Sequence, residues 1–100
     1  MYDYDRRRAA PPPRDYAEAL DRNLRQYGSL MGSQHTRKVP EARRLTRELD
    51  RLIKDYLALN PDDAWAGSHR KDKIMTTWRD LQKVYQFLFG FDPPTVDAWL

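Results

Sequence analysis

Residues 40–60, PEARRLTRELDRLIKDYLALN, decide the fold. Projected at about 100° per residue, Ala42, Leu45, Leu49, Leu52, Ile53, Tyr56 and Leu59 gather on one side, in the alternating three and four spacing of a helix that packs on other helices. The opposite side carries Arg43, Arg47, Arg51 and Lys54, edged by Glu41, Glu48, Asp50 and Asp55. Pro40 suits the first helical position, where a missing N–H costs nothing, and Asn60-Pro61 ends the helix because the residue before a proline is pushed out of the α region. Such a segment is a rod of roughly 30 Å.

Upstream, Asp15-x-x-Glu18 has the form of a capping box. It opens a helix on Ala17, Leu20, Leu24, Tyr27 and Met31, weakened at Gly28 and stopped at Gly32. Residues 32–39, GSQHTRKV, read as a polar, basic loop. Downstream, Asn60-Pro61-Asp62-Asp63 starts a helix that soon meets Gly67, so the reading is a single turn over 61–66 with Trp65 tucked beneath it. Ser68 then caps a third helix over about 69–89, with Ile74, Trp78, Leu81, Tyr85 and Leu88 on one face, Val84 and Phe89 on its flanks and Gly90 as the stop. Phe87 falls off that stripe. Its expected cover is the chain end, where Pro93-Pro94 makes a rigid turn and Thr95 caps a short turn holding Val96, Trp99 and Leu100.

Three helices joined by short connections imply an all-α fold, a compact up-down-up three-helix bundle. The domain spans 15–90. It is preceded by an extended Arg/Pro-rich tail over 1–14, MYDYDRRRAAPPPR, and followed by a proline-containing tail over 91–100. One hundred residues suffice for one modest core and are too few for two. No β-branched alternating run of strand length exists to compete with this assignment.

The net charge is +3 and the pI about 9.3, and the distribution says more than the total. Positive charge sits in the tail, the 32–39 loop and the backs of the second and third helices, whereas 61–67 and the last eleven residues are acidic. The absence of cysteine excludes a disulfide framework, a thiolate metal site and a cysteine nucleophile, and suits a reducing, cytoplasmic setting. No apolar run is long enough to span a membrane, and Arg6-Arg7-Arg8 lacks the apolar region of an export signal.

Chemistry is sparsely represented. His35 and His69 stand in separate basic stretches with no second ligand at metal spacing, Ser33 and Ser68 have no group to orient a base, and no glycine-rich phosphate loop occurs. The expectation is a protein that is not an enzyme and holds neither cofactor nor metal. Two surfaces remain. Arg37, Lys38, Arg43, Arg47, Arg51, Lys54, Arg70, Lys71 and Lys73 form a basic track suited to phosphate backbones. Against it stands local pairing of the kind Arg44 with Glu48, Arg51 with Asp55 and Asp50 with Lys54, which would make the track a solvated helix face. Tyr2, Tyr4, Phe87, Phe91, Trp99 and Leu100 are aromatic or apolar groups off the core stripes and candidates for meeting a protein partner. The leading expectation is a small helical interaction protein, a subunit or adaptor of a larger assembly, with self-association open to it. The alternatives are a nucleic-acid-binding subunit of a nucleoprotein complex and a small phage or plasmid type inhibitor of a host protein.

Overall fold

The computed structural model describes residues 13–98, and the expectations for Tyr2, Tyr4, Trp99, Leu100 and the rest of the 1–12 stretch lie outside the described residues. Its elements are α1 (Tyr16–Tyr27), a 3-10 turn (Gly28–Leu30), the one-turn helix α2 (Ser33–Thr36), α3 (Val39–Leu57), α4 (Ala64–Phe89) and a closing 3-10 turn (Val96–Ala98). Among the described residues there is no strand, and the three long helices form an all-α bundle.

The start of α1 shows how local signals and packing combine. The first turn of any helix has four N–H groups with no intrahelical acceptor. Here the Asp15 carboxylate accepts from the Glu18 N–H at 2.9 Å, and the ordinary helical ladder begins with the Ala19 N–H donating to the Asp15 carbonyl at 3.0 Å. Two more of these donors are met from another helix: the Tyr16 and Ala17 N–H groups donate to the two carboxylate oxygens of Asp50, in α3, at 2.8 and 3.0 Å. Glu18, expected to close the box onto residue 15, reaches one residue further and accepts from the Arg14 N–H at 3.1 Å and its Nε at 2.9 Å. The regular helix then ends at Tyr27, because Gly28 begins a tighter 3-10 turn, four residues before the expected stop at Gly32. The 32–39 loop is partly helical as α2, and Pro40 falls at the second position of α3, one residue later than expected.

The largest difference lies at the other end of the molecule. There is no separate turn over 61–66, and Ser68 caps nothing. The Asp63 side chain accepts from the Ala66 N–H at 3.0 Å and opens a 26-residue helix that runs through Gly67 to Phe89. A single helical glycine costs only about 1 kcal/mol relative to alanine, and the cap with the packing that begins at Ile74 outweighs it. Trp65, expected under a turn, is instead 77% exposed on the surface of that helix. At its far end Gly90 adopts φ of 82° and its N–H donates to the Gln86 carbonyl at 3.0 Å, a left-handed stop.

The core is one cluster. Leu45, Leu49, Leu52 and Ile53 of α3 meet Ile74, Leu81, Val84 and Leu88 of α4, with Tyr16 and Leu20 of α1 laid over the seam. α1 runs antiparallel to α3, since Tyr16 lies at Asp50 while the Arg43 guanidinium donates to Asp21 at 2.8 Å. It runs parallel to α4, where the Asn23 amide donates to the Tyr85 hydroxyl at 2.8 Å. The chain end folds back, with Val96 buried. The Pro94 carbonyl accepts from both the Tyr16 hydroxyl at 2.7 Å and the Trp78 indole N–H at 2.9 Å, so one acceptor satisfies two aromatic donors. It does not cover Phe87, whose neighbour is the His35 ring, stacked at 4.9 Å.

Candidate functional site

α1 is short. It begins at the level of Asp50 and Trp78, so among the described residues no third helix lies over the part of the α3–α4 hairpin beyond it: residues 51–57 on one side and 64–73 on the other form a two-helix arm. Helices that pack on only one neighbour leave apolar side chains in water, and here Leu57 is 59% and Trp65 77% exposed. The indole of Trp65 is stacked on His69 one helical turn on, centroids 5.2 Å apart and planes 5° from parallel. Beside this pair, an open groove of about 600 Å³ runs between Tyr56, Leu57 and Leu59 on one wall and Ala64, Gly67 and Lys71 on the other. Exposed apolar groups gathered at one end of a small fold are what mark a docking surface, as opposed to the scattered ones every surface carries.

The opposite end has a second, smaller apolar set. Phe87 is 46% exposed and ends a groove of about 390 Å³ floored by Leu45 and Val84 and rimmed by Lys38, Arg44 and Lys83 against Glu41 and Asp80. Leu30, in the 3-10 turn, is 81% exposed. Phe91, a candidate partner contact from the sequence, is engaged within the chain: its ring lies 5.5 Å from Phe89, stacked, and 5.6 Å from Tyr27, edge on.

The nine cations of the basic track differ in their surroundings. Arg43 is turned toward α1 and held by Asp21 at 2.8 Å. Arg51 lies between Glu48 at 3.1 Å and Asp55 at 3.4 Å, Asp55 also meets Arg70 at 3.8 Å, and Lys38 sits 3.6 Å from Glu41. Arg37, Arg47, Lys54, Lys71 and Lys73 make no ion pair among the described residues, and neither does Arg44. Of the three local pairs read from the sequence only Arg51 with Asp55 forms. Glu48 chooses Arg51 over Arg44, and Asp50 is committed to the backbone of α1, which leaves Lys54 without it.

Electrostatics at the core are set by burial. The Asp50 carboxyl is pushed above the usual aspartate range by desolvation, with the two backbone N–H bonds pulling the other way. Burial likewise raises the Tyr16 and Tyr85 phenols. Half-buried Glu18 moves oppositely, lowered first by its hydrogen bond from the Arg14 side chain. Among the described residues no group of three His, Asp or Glu side chains is placed to hold a metal, and no helix is long and apolar enough to cross a membrane. Comparison of the chain with protein-family models, with characterised proteins and with solved structures returns no match.

Sequence reasoning missed Trp65 and Leu57. The signal for Trp65 was present: a helix begun at Asp63 and continued through Gly67 places it away from the Ile74, Leu81, Leu88 stripe. Leu57 sits beside the apolar face of α3, and its exposure follows from the shortness of α1, which no pattern within α3 reveals.

Proposed function

We propose that this protein is a non-catalytic helical interaction module that docks onto another protein of an assembly through the end of its α3–α4 arm. The observation that carries this reading is the arm itself: two helices extended beyond the bundle, ending in Trp65 and Leu57 at 77% and 59% exposure. Exposing these side chains contributes nothing to the stability of the isolated chain, whereas burying each in an interface is worth about 1.5–3 kcal/mol. Tryptophan is also the side chain most enriched at interface hot spots. The experiment is a paired comparison of Trp65→Ser and Leu57→Ser with the parent chain, reading the thermal midpoint and the mass of the native complex. Unchanged midpoints with loss of the complex are the expected result; retention of the complex in both variants refutes the docking role of the arm.

A second reading is favoured by six cations of the α2–α3 and α4 surfaces, Arg37, Arg44, Arg47, Lys54, Lys71 and Lys73, that make no ion pair among the described residues and so are available to a phosphate backbone. Its test differs from the one the sequence suggests, because Arg43 and Arg51 are engaged by acids. Reversing Arg44, Arg47 and Lys54 to Glu is the informative change. Binding that weakens steeply with salt in the parent and is abolished in the variant supports it.

A further inference from the structure

On α4, Gly67, Lys71, Ile74 and Trp78 follow one another at spacings of four, three and four and so share one face. Trp78 meets α1 through the Pro94 carbonyl, which also accepts from Tyr16; further toward the hairpin turn, Gly67 and Lys71 wall the groove of about 600 Å³. On α3, Ile53 and Leu57 line a second groove of about 530 Å³ that begins at Arg14 and Asp15, directly ahead of α1. Leu57 belongs to both, so the two are one furrow along the side of the hairpin on which α1 packs. Among the described residues no helix fills it. Trp65 and His69 stand apart from this furrow, His69 lining a separate groove with Glu48 and Leu52.

The furrow changes sign along its length. At the hairpin turn it holds Asp63, which spends one oxygen on the Ala66 N–H, with exposed Asp62 beside it. Toward α1 it holds Lys54 and Lys71, which make no ion pair among the described residues. The other charges at that end are met within the chain. Arg14 is held by Glu18 and Arg51 by Glu48 and Asp55, while Asp15 accepts from the Glu18 N–H and Asp50 from the Tyr16 and Ala17 N–H groups. Counting the Asp15 and Asp50 carboxylates, this end is lined by four cations to two acids, and the turn by acid alone. An apolar surface that is basic at one end and acidic at the other complements itself when turned end for end, which is what an isologous pair requires. Asp63 to Lys71 rises about 12 Å, with Gly67 midway. Across from it Leu57 projects at 59% exposure, and an added Cβ at Gly67 meets nothing within 4 Å, so the middle of the furrow offers a knob and a gap.

We propose that a second copy of this chain occupies the furrow. The two arms pack antiparallel about a twofold axis near Leu57 and Gly67, with Asp62 and Asp63 of one copy set against Lys54 and Lys71 of the other. Four helices then close where each copy alone has two. This names the partner for the Leu57 side of the arm and rests there on the docking reading; Trp65, on the other side, is left for a different protein.

The test is sedimentation velocity of the purified full-length chain from micromolar to near-millimolar concentration. A monomer–dimer equilibrium that weakens with salt is expected. Gly67→Gln, for which the folded chain has room, plugs the furrow and abolishes the dimer, with a thermal midpoint at dilution no lower than the parent's. Lys71→Glu weakens the dimer by about tenfold or more, and adding Asp62→Lys recovers it. Trp65→Ser leaves it intact. A chain that stays monomeric throughout, or a dimer that survives both Gly67→Gln and Lys71→Glu, overturns the inference. If the chain is monomeric and Gly67→Gln still dissolves the native complex, the furrow belongs to a different protein: this inference falls and the docking reading stands. Failure of the docking reading shows separately, as a native complex indifferent to both Trp65→Ser and Leu57→Ser.

Discussion

Asp50 ties the molecule together at the scale of single residues, since its two oxygens complete the first turn of a helix thirty-odd positions away in the chain. Asp50→Ala leaves two backbone donors of α1 without acceptors, at an expected cost of about 1–3 kcal/mol, read as a lower denaturation midpoint with loss of helicity confined to residues 16–19 by hydrogen exchange. Its titration has a sign. Because burial raises its pKa in the folded state, this group's contribution to stability is complete below the ordinary aspartate range and is lost as pH rises through the raised value. The stability gap between the parent and Asp50→Asn should be widest in acid and narrow on going toward neutrality. Tyr16 and Tyr85 follow the same sign in alkali. Spectrophotometric titration should show two phenols that do not ionise in the ordinary tyrosine range but only as the bundle unfolds. None of this was legible in the sequence, where Asp50 has Lys54 four residues on; local spacing cannot reveal that a tertiary acceptor site competes for the same carboxylate.

Whole elements were more legible, for reasons that differ between them. The apolar stripe of α3 was unambiguous because seven positions repeat at helical spacing and every one of Ala42, Leu45, Leu49, Leu52 and Ile53 is buried as the stripe requires. α4 was divided wrongly because Gly67 and Ser68 read as a break, when a capped helix of this length tolerates one glycine. That correction is testable. A Cβ built at Gly67 meets nothing within 4 Å, so Gly67→Ala should stabilise the protein by about 0.5–1 kcal/mol; a break at this position would make the change neutral or harmful. Gly90 is the contrasting case. Space is equally open there, but φ of 82° strains any L side chain, and Gly90→Ala should lower stability by about 1–2 kcal/mol. Aligned thermal melts of the two variants would separate in opposite directions from the parent.

At the scale of the whole molecule, unequal helix lengths explain the proposed behaviour. With α1 at 12 residues against 19 and 26 for α3 and α4, the bundle is closed at one end and, among the described residues, reduced to two helices at the other. The closed end holds Tyr27, Tyr85, Phe89 and Phe91 in one aromatic cluster. The open end puts Leu57 and Trp65 in water. Of the aromatics that the sequence offered for docking, Phe91 packs on Tyr27 and Phe89 yet stays 37% exposed, and Phe87 keeps its partial exposure against His35, while the most exposed aromatic among the described residues is Trp65, which the sequence had assigned to shelter. Charge could be summed from the sequence but not apportioned. Ion pairing across helices, as between Arg43 and Asp21, removes cations from a surface that a helical wheel alone would present as continuous.

The central claim is that the arm docks a protein. The most direct measurement is the light-scattering mass and the 260 to 280 nm absorbance ratio of the untagged 11.9 kDa chain, purified without nuclease from its native extract and compared with the Leu57→Ser, Trp65→Ser double variant. The account predicts a nucleic-acid-free particle well above the chain mass for the parent, insensitive to Arg44, Arg47 and Lys54 reversal, and a folded monomer for the double variant. A parent that runs as a monomer, or as a nucleoprotein that dissociates with salt and ignores the Leu57 and Trp65 changes, contradicts it.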